Sequence, residues 1–217
     1  KRDAGDILLE GKSVEIANPL ASRQMGISII FQELSVLNNM DVAENIFVGR
    51  EKKKNGFVDK KAQHEEAAKL LSRVGLTIDT HTMTRRLSTA QKQMIEVAKA
   101  LSFNSKIIIM DEPTSSLTET ETDILFGIIR KLREKGVAIV FISHKLAEIF
   151  AITDEVAILR DGVSAGRMVT EGCTENDIIK AMVGRDVDDL YAKQAAPIGD
   201  VVLEVKNLST KGFLKDI

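Results

Sequence analysis

A chain of 217 residues, 44% hydrophobic and 29% charged, has the composition of an ordinary globular protein of one large or two small domains. Its 30 basic and 32 acidic residues leave a net charge of -2, which excludes a bulk positive field toward nucleic acid. The single cysteine, Cys173, excludes an internal disulfide and points to a reducing compartment. No apolar run approaches a membrane span, and no secretory leader is expected, so a link to a membrane would run through a protein partner.

Asp6 to Ile16 (DILLEGKSVEI) predicts two short strands around Gly11, a hairpin. Gly26 to Phe31 (GISIIF) predicts a buried strand, Asp41 to Phe47 a short helix and Arg50 to Gly56 a charged loop. Ala62 to Leu71 has apolar residues at helical spacing. A further helix from Ser88 turns Met94, Ile95, Val97, Ala98 and Leu101 inward. Lys106 to Asp111 is a strand, and Val137 to Ser143 is another. Between them Glu119 to Lys135 is an amphipathic helix with Ile124, Leu125, Ile128, Ile129 and Leu132 on one face. That order predicts a βαβ unit with parallel strands and a right-handed crossover. Glu155 to Arg160, the Asp161-Gly162 turn and Ser164 to Val169 predict a strand pair. Thr174 to Val183 predicts a helix capped by Thr174, Asp188 to Gly199 a linker, and Asp200 to Leu208 a new strand. GDILLEGK and GDVVLEVK, near the two ends, are alike, but eight residues of hairpin composition do not make a repeat.

In open α/β sheets ligands sit beyond the carboxyl ends of parallel strands. Three predicted strands end there in polar residues: Gln32 after GISIIF, Asp111 and Glu112 after IIIM, and His144 after VAIVFIS. Gln32 or His144 alone is an ordinary strand-end residue. Four apolar residues followed by Asp-Glu are more specific. Magnesium takes hard oxygen ligands, often one carboxylate. A second acid can deprotonate an attacking water, an effect of roughly 10²- to 10⁴-fold in rate. Adjacent residues on an extended strand point opposite ways, so Asp111 and Glu112 are expected to divide these tasks by the pleat, before Pro113 ends the strand. Ser88 followed by Gln91 is a capping-box pattern. A well-capped helix and a helix N-terminus presenting N–H groups to a phosphate both fit it.

Gln32, LSTAQ (Leu87 to Gln91), IIIMDEPTSSL (Ile107 to Leu117) and His144, in that order, resemble the nucleotide-binding subunit of ABC transporters, most closely the tandem ATPases of ribose/galactose-type sugar importers. FQELSVLNNMDVAENIFVGRE (Phe31 to Glu51), EPTSSLTETET (Glu112 to Thr122), FISHKLAEIF (Phe141 to Phe150), ILRDG (Ile158 to Gly162) and MVGRDVDDLY (Met182 to Tyr191) extend the likeness over nearly the whole chain. The resemblance implies an α/β P-loop NTPase core with a helical subdomain, truncated at its N-terminus. Residues 1–187 would be a partial first ATPase domain, with 33–100 its helical subdomain. Residues 188–199 would be a linker and 200–217 the start of a second ATPase domain. ATP and Mg2+ are the implied cofactors. Glu112 would be the general base, His144 the contact to the terminal phosphate, and Asp111 a magnesium ligand. Gln32 would touch magnesium and sense the transport partner. Ser88, Ala90 and Gln91 would close on the phosphate held by an opposite ATPase domain. Ser116, Leu117 and Thr118 would line the seam between the two. The implied partners are membrane-spanning permease subunits, a second ATPase domain or second copy and, indirectly, an extracytoplasmic sugar-binding protein. The implied place is the cytoplasmic side of the membrane.

Three departures stand out. The phosphate loop GxxxxGK[ST] is absent, because Gly5 and Gly11 are separated by five residues and a strand lies between them. The chain alone is therefore expected to be inert. Ala90 stands where the family usually has glycine. A positive φ or a close phosphate at that position would make its methyl cost ~1 kcal/mol. An acid is usual near Thr118. The other reading is a non-transport ATPase of the same type acting on nucleic acid or ribosomes, with Arg50, Lys52, Lys53 and Lys54 as its basic patch. Only 4% of residues are aromatic, which disfavours base stacking and leaves a solvated loop as the better reading. Met94 and Met110 read as core filling. His64 and His81 have no ligand-like spacing to each other or to Cys173, so no zinc site is expected.

Overall fold

The computed structural model describes residues 3–184 and 199–213. The chain divides into two compact units, one of residues 1–156 with 168–172, the other of residues 157–167 with 173–217.

The first unit opens with an antiparallel hairpin of β1 (Ile7–Leu9) and β2 (Lys12–Val14), with Ile7 opposite Val14. Glu10 and Gly11 form its turn at φ 52 and 76, the positive values a primed two-residue turn requires. Gly11-Lys12-Ser13 thus sits in a hairpin and not at a helix N-terminus. α1 (Pro19–Gln24) follows; Asn18 Oδ1 accepts from Ala21 N at 2.9 Å and Pro19 presets the first turn. This helix is not among the predicted elements, although the Asn18-Pro19 pair is a local signal for its start. Next come β3 (Ile27–Ile30), α2 (Val42–Phe47), a small hairpin of β4 (Lys53–Lys54) and β5 (Phe57–Val58), α3 (Lys60–Arg73) and α4 (Thr89–Leu101). The expected charged loop is thus partly paired. A 3-10 turn, Thr84–Arg86, precedes α4.

β6 (Ile107–Asp111), α5 (Glu119–Glu134) and β7 (Ala138–Ile142) form the expected βαβ unit. β3, β6 and β7 pair in parallel in that order, with Ile29, Ile109 and Val140 in one register row and Ile30, Met110 and Phe141 in the next. Because side chains alternate along a strand, these rows face opposite ways. Ile30, Ile108 and Met110 are buried in a core shared with Met94, Ile95, Val97 and Leu101 of α4 and Leu125, Ile128, Ile129 and Leu132 of α5. Phe126 meets the edge of Phe141 at 6.0 Å between ring centroids. Each such side chain stabilises the fold by about 1.5–3 kcal/mol. The other face is open: Ile29 is 42% exposed, Val140 47% and Ile142 46%. Parallel sheets normally have both faces covered. GISIIF is therefore a half-buried strand, and the expectation of full burial is corrected. Ile124, expected on the apolar face of α5, points outward and is exposed.

α2, α3 and α4 pack on one another to form the helical part. Asn45 ties it to the incoming chain: its Oδ1 accepts from Leu37 N at 2.7 Å, and its Nδ2 donates to Leu37 O, Met40 O and Asp41 O. Thr84 Oγ1 donates to Leu37 O at 2.8 Å. His64 and His81, unrelated by spacing, stack with ring centroids 3.7 Å apart. Arg50 folds back, donating to Ser102 Oγ at 2.6 Å and lying 3.5 Å over the Phe103 ring. Burial there lowers its pKa, with Arg23 adding to the effect. It is a packing residue and is lost to any basic patch.

α6 (Leu146–Ile152) ends the run of first-unit helices. β8 (Glu155–Arg160) and β9 (Val163–Val169) form a hairpin, as expected, turning at Asp161 and Gly162. In the second unit, α7 (Glu175–Val183) starts at Thr174 with a full capping box to Asp177. Arg160 Nη1 donates to Ala181 O at 3.1 Å near the left-handed Gly184. The expected strand Asp200–Leu208 is not formed. That segment has no ladder partner among the described residues, and Val201, Val202 and Leu203 stay exposed. Residues 188–198 of the expected linker, and most of MVGRDVDDLY, lie outside the described residues.

Candidate active site at the sheet edge

The parallel register delivers the ends of β3, β6 and β7 to one edge of the sheet. Glu112 is the hub of that edge. His144 Nδ1 lies 2.9 Å from its Oε1, and Gln32 Nε2 donates to its Oε2 at 3.3 Å. Residues just beyond the ends of three separate strands thus meet at the Glu112 carboxylate. With its amide nitrogen turned to Glu112, Gln32 has its oxygen left as an acceptor. Asp111, Gln32, Phe31, Glu33, Leu34 and Ser35 line an open pocket of about 490 Å³. Asp111 and the Gln32 oxygen are the hard donors a magnesium ion selects, so the residues present fit that ion.

The strand pleat expected to relate Asp111 and Glu112 does not extend to Glu112. β6 ends at Asp111, and Glu112 sits at φ 43 in the left-handed region. That conformation is uncommon for a residue with a side chain and costs on the order of 1 kcal/mol. Its amide donates to Ile142 O at 2.9 Å, which holds the turn against β7. Glu112 thus lies past the pleated strand, in a left-handed turn held to β7, while Asp111 is the last residue of β6.

A support that sequence reasoning missed lies behind this edge. Buried Glu148, on α6, accepts from Thr114 Oγ1 at 2.7 Å and Ser143 Oγ at 2.9 Å, and pairs with Lys145 Nζ at 2.9 Å. Thr114 follows Glu112 and Ser143 precedes His144, so one carboxylate braces both loops. Burial alone would raise the Glu148 pKa. Hydrogen bonds from Thr114, Lys145 and Ser143 outweigh it and hold the group below its ordinary value. The available signal was an acid in a helix with no side-chain cap, beside a serine and a lysine.

Ser88 and Gln91 are not joined to the Glu112 cluster by any hydrogen bond among the described residues. They bond each other: Ser88 Oγ accepts from Gln91 N at 3.2 Å, and Gln91 Oε1 accepts from Ser88 N at 3.0 Å. Ala90 lies inside α4 with no positive φ, so its methyl introduces no backbone strain. Thr118 caps α5 in another capping box, with Glu121, beside exposed Ser116 and half-buried Leu117.

The model of the family described as ABC transporter matches residues 1–115. A ribose import ATP-binding protein of Streptomyces avermitilis is 43% identical over 99% of this chain and 43% of its own length. One of Lacticaseibacillus paracasei matches with the same identity and coverage. An Agrobacterium fabrum protein named for ribose/galactose/methyl galactoside import is 46% identical over 99% of this chain and 42% of its own length. The chain thus spans less than half the length of these relatives. Among solved structures, the ADP conformation of an ATP-binding cassette, MJ1267, superposes with TM-score 0.69 at 24% identity, over 88% of this chain and 78% of that one. A nucleotide-free cassette gives 0.69 at 23% identity, over 92% and 79%. The fold is that of the ABC ATPase cassette, and the chain belongs to the ABC transporter family.

Proposed function

We propose that this chain is part of the ATP-hydrolysing subunit of an ABC importer for a simple sugar of the ribose/galactose class. The observation that carries the chemistry is the convergence of Gln32, Glu112 and His144 at one sheet edge, beside Asp111. The relatives named for ribose and galactoside import supply the substrate class. In this reading Glu112 takes the proton of the attacking water, exchanging one of its two present contacts for it. His144 orients Glu112 and faces the terminal phosphate. Asp111 and the Gln32 oxygen hold Mg2+, which neutralises phosphate charge when bound. Ser88, Ala90 and Gln91, at the exposed start of α4, face the phosphate of an opposite ATPase domain.

The reading extends to the partners. Permease subunits dock on the helical part of residues 33–100, and a sugar-binding protein acts through them. Residues 200–217 belong to the threshold of a second ATPase domain. No described helix is long and apolar enough to cross a membrane, which fits a peripheral subunit on the cytoplasmic side. The alternative of a nucleic-acid or ribosome partner loses support, since Arg50 of the basic run is engaged with Ser102 and Phe103.

The test uses the full-length parent protein in its transporter. Glu112→Gln lowers ATP turnover by roughly 10²- to 10⁴-fold while nucleotide binding persists. Near-normal hydrolysis in that variant overturns the general-base assignment. The 217-residue chain alone serves as the inert control.

A further inference from the structure

A second cluster of titratable side chains lies in the helical part, apart from the sheet edge. Asp41 is the N-cap of α2, His64 sits on α3, and His81 lies in the turn before Thr84–Arg86. Main-chain bonds lock these segments together: Val42 N to Thr82 O, Ala43 N to Thr80 O and Thr84 N to Met40 O, each 3.1 Å. Asp41 and Met83 also form an antiparallel bridge. The backbone that carries Asp41 and His81 is therefore fixed.

The side chains come close together. One ligand atom from each residue lies within 4.8 Å of the others. His64 Nε2 is 3.8 Å from Asp41 Oδ2, and its ring stacks on His81. The other nitrogen of His64, Nδ1, is 3.0 Å from the hydroxyl of buried Thr80. A ring held at one nitrogen by an outer oxygen is a feature shared with metal-ligating histidines. Asp41 uses Oδ1 for the cap, accepting from Glu44 N at 2.8 Å, which leaves Oδ2 to face the rings. The three residues share an open pocket of about 500 Å³ with Lys60, Lys61 and Glu65. Two lysines oppose a cation. The charge of Lys60 is met by Glu44 at 3.3 Å, and Glu65 adds a carboxylate to the same rim.

We propose that Asp41, His64 and His81 bind a first-row divalent transition ion of the zinc class, through Asp41 Oδ2, His64 Nε2 and a ring nitrogen of His81. Two imidazoles and one carboxylate suit such an ion better than magnesium or calcium, which prefer oxygen. Tetrahedral ligation at about 2.1 Å wants donor atoms about 3.4 Å apart. The two stacked imidazoles must turn out of their near-parallel planes to aim a nitrogen each at one ion, and exposed His81 has room to make that rotation and the contraction. The ion would clip the start of α2, the middle of α3 and the turn before α4 into one unit, a bracing role separate from nucleotide chemistry.

The experiment titrates zinc sulfate into the metal-stripped 217-residue chain by calorimetry, with cobalt(II) absorption as a report on ligand geometry. One ion per chain should bind with a Kd of about 10 µM or tighter and raise the melting temperature. His81→Asn and Asp41→Asn should each weaken binding about tenfold or more. Asn is a competent N-cap, so Asp41→Asn preserves α2, and far-UV circular dichroism checks this. Magnesium should not compete. Absence of saturable zinc binding at about 100 µM overturns the site. So does zinc affinity unchanged in a folded variant carrying both Asp41→Asn and His81→Asn, which would put the ion elsewhere.

Discussion

Glu148 shows how much one side chain away from the chemistry can decide. Its carboxylate joins the loop after Glu112 to the loop before His144 through Thr114, Ser143 and Lys145. Glu148→Gln keeps the shape but removes the charge that three donors share. Charge-assisted bonds in a buried setting are worth more than neutral ones, so the variant should lose about 2 kcal/mol of stability at neutral pH. The sign of the pH dependence follows from the lowered pKa. A folded value below the ordinary 4.5 stabilises the fold above 4.5, and that stabilisation is lost as pH falls through the folded value. Urea unfolding at neutral pH and again well below the ordinary value checks it. The gap between wild type and variant should narrow in acid, and a gap constant with pH would remove the charge from the explanation.

At the scale of elements, α4 separates a structural role from a functional one. Ser88 and Gln91 satisfy each other across the helix start. Ser88→Ala should cost about 1 kcal/mol, read as a lowered urea midpoint with unchanged slope. Restoring a cap with Ser88→Asp should recover stability, and failure to recover it would mean that Ser88 acts through something other than capping. The capping box at Ser88 and the N-cap at Thr174 were legible because they are local: a hydroxyl just before an apolar face, with Gln91 three residues on in the first case. The strands β3, β6 and β7 were legible as apolar runs, and the polar residue ending each located the sheet edge. What stayed hidden depends on contacts between distant segments. Asn45 reads as an unremarkable helix residue until it is seen bonding Leu37, Met40 and Asp41. Arg50 reads as a solvated charge until Phe103 lies beneath it. His64 and His81 meet only because α3 and the following turn are folded back on the start of α2. Glu112 reads as the end of a strand, yet its left-handed backbone comes from the bond to Ile142 on the neighbouring strand.

At the scale of the molecule, the open face of the parallel sheet is the feature with the largest physical consequence. Ile29, Ile109 and Val140 stand side by side across β3, β6 and β7, with Ile142 one step beyond, and Phe31 at the end of β3 is 54% exposed. Contiguous apolar surface of this kind drives association and dye binding, and β3 and β7 are also the outer strands of the sheet. The 217-residue chain should therefore bind an anilinonaphthalene dye in its native state and sediment faster as concentration rises. Ile29→Thr with Val140→Thr keeps β-branched side chains on both strands while adding a hydroxyl to each exposed position. The double variant should lose most of the dye signal and shift toward monomer. Its circular dichroism should be unchanged, because neither side chain is on the face of Ile30, Ile108 and Met110, which meets the core. If dye binding and association persist undiminished in the folded double variant, the sheet face is not their source.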